Sequence, residues 1–391
     1  MRTLRVGLLI LLVASLAACT ARPPSQSTPP VTSPQATTPS QSTASGQPAP
    51  TATSSAAPAP EATTTPATPW AEGPLVAESE FIRGIAIAPG SAVRYGLLGN
   101  GLARSDDGGQ SWRRVSNAVV HLPLVSPANP DILYAGDFPA CLRGDEDPLF
   151  YRSTDGGTTW QETPAGRGIR PIAFQPGDPS TVYGISCWAV NVSRDGGETW
   201  EKTGPTQGWD ITDILLTEGP NARFLAILTS EGGTSHLAWF NQNGELEQDL
   251  TEGLSFWGAG VLASGGSSLY IADATGVRRS DDGGQHWSLF KEGLEDVILS
   301  TDPITEGISD AEVARGYGLF ALVSDPRDPR RLVLGTVRGI YLSEDRGEHW
   351  RPLGIEPLAK VRVNALDWEP AQPGVLYATT EVGVYRVHLG G

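Results

Sequence analysis

One eight-residue pattern constrains this chain more than any other feature. Ser-x-Asp-x-Gly-x-x-Trp begins at Ser105, Ser153, Ser193, Ser280 and Ser343 and ends at Trp112, Trp160, Trp200, Trp287 and Trp350. Successive copies start 48, 40, 87 and 63 residues apart, and the widest gap holds a worn copy at Asn241, Asn243 and Gly244. Asp and Ser side chains accept backbone N–H bonds and hold tight turns. Glycine supplies a positive φ where a Cβ would clash. The tryptophan then opens a strand and buries a large ring against a neighbouring sheet. Asp107, Asp155, Asp195, Asp282 and Asp345 are therefore expected to be turn builders. A unit this short cannot bury its apolar face alone, so the copies must stack on one another.

The residues before each pattern read as three short strands, and the tryptophan starts a fourth. In one copy these are Arg170 to Phe174, Thr181 to Ser186, Ala189 to Ser193 and the segment from Trp200. First strands recur at 84–87, 122–125, 171–174, 214–217, 258–263, 319–323 and 364–368. Seven repeats of four antiparallel strands predict an all-β, seven-bladed propeller over residues 70–391. Its glycine-rich, tryptophan-rich composition agrees, with 46 Gly and 11 Trp in 391 residues. The seventh repeat ends after three strands. Trp70 stands where a turn-closing tryptophan would stand, so Trp70 to Ala77 is expected to supply the missing outer strand and close the ring.

The pattern resembles the Asp-box, or BNR, repeat of sialidases, xyloglucanases, sortilin-type receptors and the photosystem II assembly-factor propellers. That resemblance covers residues 70–391 and implies the propeller fold. It is nearly silent on the ligand. The Phe/Tyr-Arg-Ile-Pro motif of sialidases is missing, with Phe81-Ile82-Arg83-Gly84 only a distant echo. Xyloglucanases form their cleft between two propellers, and one is read here. The cysteine-rich modules of the sortilin family are absent.

The N-terminus reads as an export signal. Arg2 and Arg5 precede an apolar run from Val6 to Leu16, too short to span a bilayer. Leu16-Ala17-Ala18-Cys19 resembles the lipobox of bacterial lipoproteins. It implies cleavage after residue 18, acylation of Cys19 and an extracytoplasmic protein held to a membrane by its lipid alone. Residues 19–69 are the lipidated cysteine and a Pro/Thr/Ser-rich tether that cannot bury enough apolar area to fold. A net charge of −16 argues against a nucleic-acid or anionic-lipid partner.

In a propeller the connections between first and second strands, and those between third and fourth, share one face. The Asp-boxes lie there. The other face, around the channel mouth, usually carries function. Arg83, His121, Arg170, Asp213, Trp257, Tyr317 and Arg362 are expected to open the inner strands there. Three arginines in an acidic protein form a cationic spot suited to carboxylates or phosphates, unless each pairs with a neighbouring acid. Two long acidic connections, 138–148 and 292–316, reach the same face. They read either as solvated surface or as a site for a cation, a divalent metal or a basic partner. Cys141 and Cys187 fall there too, one blade apart. They are expected to form a disulfide outside the cytoplasm, the alternative being two buried thiols. Asp137, Asp210 and Asp213, with Trp188, Trp209 and Trp257, would be the carboxyls and platforms of a glycosidase. No metal-ligand spacing is present, and no cofactor is expected. The sequence thus favours a non-catalytic scaffold for a protein or peptide partner. A surface glycoside hydrolase or carbohydrate-binding propeller is the alternative.

Overall fold

Each turn-closing tryptophan is followed by a short strand that forms the outer edge of a four-stranded antiparallel sheet. The computed structural model describes residues 68–121, 123–136, 149–187, 189–205, 209–217, 223–229, 235–252, 254, 260–299 and 318–390. The expected signal segment, Cys19 and the expected tether as far as residue 67 lie outside these. Seven sheets are built. Blade 1 comprises Gly84–Ile87, Arg94–Leu98, Gly101–Ser105 and Arg113–Ser116, and blade 2 Leu124–Val125, Leu133–Gly136, Phe150–Ser153 and Gln161–Glu162. Blade 3 comprises Arg170–Gln175, Asp178–Ser186, Ala189–Ser193 and Glu201–Pro205, and blade 4 Asp210–Leu216, Phe224–Thr229, Ser235–Phe240 and Leu246–Asp249. Blade 5 comprises Val261–Gly265, Ser268–Asp273, Gly276–Ser280 and Ser288–Phe290, and blade 6 Leu319–Asp325, Asp328–Thr336, Gly339–Ser343 and Arg351–Pro352. Blade 7 takes its first three strands, Val363–Trp368, Val375–Thr380 and Gly383–His388, from the C-terminus and its fourth, Trp70–Glu72, from the N-terminal side. The protein is a seven-bladed β-propeller.

The core is divided among the blade interfaces. Period-two alternation sends each strand's apolar residues to both neighbouring blades. One hydrophobic cluster accordingly fills each of the seven junctions. The junction of blades 3 and 4 buries Tyr183, Val190, Ile214, Phe224 and Phe240. The junction of blades 6 and 7 buries Val333, Leu342, Val363, Leu376 and Val387. Each such side chain stabilises the fold by about 1.5–3 kcal/mol.

The ring closes where expected, by a shorter strand and in a different register. Trp70, Ala71 and Glu72 pair with His388, Val387 and Arg386. Val76–Ala77 leaves the sheet and forms a two-stranded hairpin with Glu80–Phe81. Alignment with blade 1, where Arg113 pairs with Arg104 as Glu72 pairs with Arg386, puts Ala71 in the place of the box tryptophan. Ala71 packs against the cluster shared with blade 6. Trp70 is one residue off, and one residue moves a side chain to the other sheet face. There it stacks on His388, ring centroids 3.9 Å apart, and stays 49% exposed.

The junction of blades 7 and 1 differs in kind from the others. Arg94 of blade 1 and Glu369, just beyond the inner strand of blade 7, form an ion pair with both side chains fully buried. Arg94 Nε donates to Glu369 Oε2 at 3.0 Å, Nη2 donates to Oε1, and Nη1 donates to the carbonyls of Ser91 and Val93 at 2.6 and 2.7 Å. The Tyr377 hydroxyl lies 3.0 Å from Glu369 Oε2 and 2.9 Å from the Gly108 carbonyl oxygen. Truncating one partner strands a buried charge, which costs about 3–5 kcal/mol. Glu369→Ala is therefore expected to lower unfolding stability by about that amount in urea titrations. The paired replacement Arg94→Met with Glu369→Leu should recover most of the loss. Equal stability of Glu369→Ala and the parent would show that the seam is not held by this pair.

Candidate functional site

The five boxes behave as clamps. In the first, Ser105 Oγ donates to Asp107 Oδ1 at 2.7 Å and accepts from Gly109 N at 2.8 Å. Asp107 Oδ1 also accepts from Gln110 N and Ser111 N at 3.0 and 2.9 Å, and Oδ2 from the Ser111 hydroxyl at 2.5 Å. Trp112 Nε1 donates to the Gly109 carbonyl at 3.0 Å. Asp155, Asp195, Asp282 and Asp345 repeat these bonds with Thr159, Thr199, His286 and His349 in the place of Ser111. The motif glycine has no substitute: Gly157 has φ +80°, and a Cβ there would sit 2.5 Å from Leu102 Cδ2. Trp160 and Trp350 also bond back to their glycine carbonyls and pack into the cluster shared with the preceding blade. Trp287 does the same. Trp200 packs likewise, but its Nε1 has no hydrogen-bond partner among the described residues. The worn copy keeps the turn with Asn241, whose Oδ1 accepts from Asn243 N and Glu245 N at 2.8 and 3.0 Å. In four boxes a backbone amide bonds the first-to-second-strand turn of its own blade, as Gly156 N does to Asp131 O at 3.0 Å. Boxes and these turns therefore share one face, and the mouth is opposite.

At the mouth the expected residues separate into three groups. Arg83 directly precedes the inner strand of blade 1 and is exposed, and His121 is exposed ahead of blade 2. Arg170 opens the inner strand of blade 3 and is half-buried. Arg362, half-buried before blade 7, lays its guanidinium 3.8 Å from the Phe320 ring centroid, and its Nε has no hydrogen-bond partner among the described residues. Burial pulls that guanidinium below its usual range against the attraction of Glu381. Asp213 does not open its strand. Blade 4 starts three residues earlier, at Asp210, with a register shift between Ile211 and Asp213. Asp213 is consequently 7% exposed. Its two oxygens accept from Ile214 N at 2.9 Å and from Leu262 N of blade 5 at 2.6 Å, a strut between two blades. Trp209 lies edge-on to His236 with ring centroids 3.7 Å apart.

Trp257, Tyr317, Asp137, Trp188, Cys141 and the acidic connection 138–148 fall outside the described residues. Cys187 is disulfide-bonded. The acidic connection after blade 5 is described only to Leu299, and that part is largely core. Leu294, Val297 and Ile298 are buried between blades 5 and 6, while Glu292 lies against the box of blade 6, 3.4 Å from His349 Nε2. Among the described residues no group of three or more His, Cys, Asp and Glu is placed to hold a metal ion.

Two carboxyls of inner strands have perturbed acidity. Burial pushes Asp213 up to about 7, against two backbone amides and Arg170. Burial also pushes Asp367 of blade 7 up to about 7, and among the described residues no hydrogen bond or ion pair opposes it. The folded protein holds these protons to higher pH than the unfolded chain, whose carboxyls titrate near 3.9. Their contribution is most favourable below about pH 4 and is lost as pH rises to about 7. The box carboxyls run the other way, Asp107 and Asp195 being held down at about 2 by the bonds of their turns. Their support is present above about pH 4 and lost below it. Stability should therefore be greatest near pH 4–5. Asp367→Asn is expected to raise stability at pH 8 by about 1–3 kcal/mol and to change little at pH 4. Chemical denaturation at the two pH values checks this, and an equal effect at both would refute the assignment.

The BNR/Asp-box repeat family matches residues 151–162 and 192–202. No curated protein matches the chain significantly. Among solved structures, the GH74 xyloglucanase from Xanthomonas campestris aligns with a TM-score of 0.57 at 16% identity, covering 81% of this chain and 53% of that one. This chain thus spans about half the length of that enzyme. YCF48 bound to D1 peptide aligns with a TM-score of 0.53 at 16% identity over 79% of this chain and 92% of its own. YCF48 from Cyanidioschyzon merolae gives 0.52 at 15% identity, over 82% and 98%. At these identities the likeness is one of fold. Family match, clamp geometry and ring together make the chain a BNR-type, or Asp-box, β-propeller.

Proposed function

We propose that this propeller is a non-catalytic scaffold that binds a protein or peptide segment on its mouth face, outside the cytoplasm. The observation that carries this reading is the charge layout of the mouth. In a chain of net charge −16, exposed Arg83 and half-buried Arg170 and Arg362 gather there. The carboxyl of Asp213, in the wall between blades 4 and 5, is buried and occupied by backbone amides. Guanidinium groups bind carboxylates in a fixed geometry, so the partner is an anionic segment such as an acidic or C-terminal peptide stretch. Support also comes from the alignment with nearly the whole of two YCF48 chains, one of them bound to a peptide. Asp213 is a poor general acid despite its raised pKa, because a substrate cannot reach it.

A carbohydrate partner is the second reading. It is favoured by the xyloglucanase likeness and by Trp209 at the head of blade 4. The two readings separate on one experiment, in which the full chain in detergent is offered an acidic peptide library and a glycan array. Peptide binding should weaken about tenfold in Arg83→Ala and again in Arg362→Ala. Binding to glycans alone would overturn the peptide reading.

Cys19 as the acylated residue, residues 1–18 as the removed signal, the tether to residue 69 and a Cys141–Cys187 disulfide belong to the same proposal. A lipid anchor would hold the ring at a membrane face. Among the described residues no helix is long and apolar enough to cross one. Cys19→Ser should abolish incorporation of labelled fatty acid. Undiminished labelling would remove the anchor from the proposal.

A further inference from the structure

The hairpin of Val76–Ala77 and Glu80–Phe81 lies over the mouth end of the seam between blades 7 and 1. Before it, Leu75 N donates to the Val384 carbonyl of blade 7 at 2.7 Å, and after it, Arg83 N donates to the Leu97 carbonyl of blade 1 at 2.8 Å. One face of this segment belongs to the junction core, where Leu75, Ala77 and Ile82 pack. The opposite face is apolar too. Val76 and Phe81 are cross-strand partners, 47% and 54% exposed. Val382, in the neighbouring turn of blade 7, is 49% exposed, and that turn leads into Val384, whose N donates to the Ile82 carbonyl at 2.9 Å. The other large apolar side chains exposed among the described residues, Trp70, Val119, Leu246 and Leu289, lie on four separate elements. Single exposed apolar residues are ordinary, whereas a contiguous group marks a contact surface.

The hairpin is also pinned. Its turn residues Glu78 and Ser79 have φ +50° and +76°, a left-handed pair that ordinarily falls to Asn-Gly. Arg114 of blade 1 holds this turn, its Nη2 donating to Glu80 and its main-chain N to Glu78 Oε1 at 3.4 Å. The other Glu80 oxygen accepts from Gly99 N at 2.5 Å. Both hairpin carboxylates are thus engaged by blade 1. Arg83 stands two residues beyond Phe81 with buried Ile82 between them, so the two exposed side chains leave the same face of an extended chain. Among the described residues no carboxylate pairs with the Arg83 guanidinium. The surface therefore sets an apolar pair beside an uncommitted cation, and aromatic and arginine side chains are those on which binding energy concentrates.

We propose that this hairpin anchors the partner of the mouth, and that the partner segment carries a bulky apolar side chain next to a carboxylate. The apolar group packs on Val76 and Phe81, and the carboxylate pairs with Arg83. This rests on the peptide reading of the mouth and narrows it, because an acidic segment lacking the apolar residue would use only half of the surface.

The test titrates the full chain in detergent into three labelled dodecapeptides and reads fluorescence anisotropy. Each is a Gly/Ser chain with a central Glu-Phe-Glu, Glu-Ala-Glu or Gln-Phe-Gln. Glu-Phe-Glu should bind about tenfold more tightly than either of the others. Phe81→Ser should remove the preference for Phe over Ala and leave Glu-Ala-Glu binding as it was. Arg83→Ala should remove most of the preference for Glu over Gln. Leu246→Ser, an equally exposed apolar position on blade 4, should leave all three affinities unchanged, and equal thermal midpoints would show that the variants fold. Equal affinity for Glu-Phe-Glu and Glu-Ala-Glu, both weakened by Arg83→Ala, would overturn the anchor and leave the peptide reading of the mouth standing. A preference for Phe that survives Phe81→Ser would overturn the assignment to the hairpin. Absence of binding by all three peptides would overturn both readings.

Discussion

The structure depends on closing a ring whose last blade is assembled from both ends of the propeller sequence. Six junctions form between blades adjacent in sequence. The seventh joins blade 1 to blade 7 and must be made by residues 275 apart, Arg94 and Glu369. A fully buried ion pair is a costly device for holding two apolar sheets together, and well-packed apolar side chains would serve as well energetically. Its geometry is directional, however. The guanidinium fork, the Tyr377 hydroxyl and the Gly108 carbonyl can be satisfied together in only one register, which makes this junction specific as well as stable.

The Asp-boxes solve a different problem. A chain leaving the third strand of a blade must turn on the outer part of one face and return in the register that aims its next aromatic ring at the preceding blade. In the first box six bonds within eight residues impose that turn, and the positive-φ glycine permits it. The fifth box tolerates Arg346 at φ +66° where the other four have glycine. There Arg346 bonds Ser268 at 2.8 Å and also Asp281, both of blade 5 or its box, so an interblade contact offsets the strain. With box carboxyls consumed in this way, one face of the wheel is occupied by its own construction, and the surfaces left are the mouth and the seam between blades 7 and 1.

These two surfaces have different electrostatic characters. The mouth carries guanidinium groups in an acidic protein, one of them resting on Phe320. The seam pairs its arginine with a carboxylate and an amide and keeps its charge balanced.

Much of this was legible in the amino-acid order alone. The boxes, the period-two alternation and the truncated seventh repeat specify seven four-stranded blades and their closure from the N-terminal side, because turn chemistry and strand patterning are local and repeat with the chain. The placement of Arg83, Arg170 and Arg362 ahead of inner strands was legible for the same reason. Three matters belonged to the tertiary structure. Asp213 moved from the mouth into the wall because a bulge added residues to the start of its strand. Trp70 moved off the box position because a single-residue shift inverts the face. The partnerships of Arg94 with Glu369 and of Glu72 with Arg386 join the two ends of the ring. No local pattern records such a pairing, since it exists only when the wheel has closed.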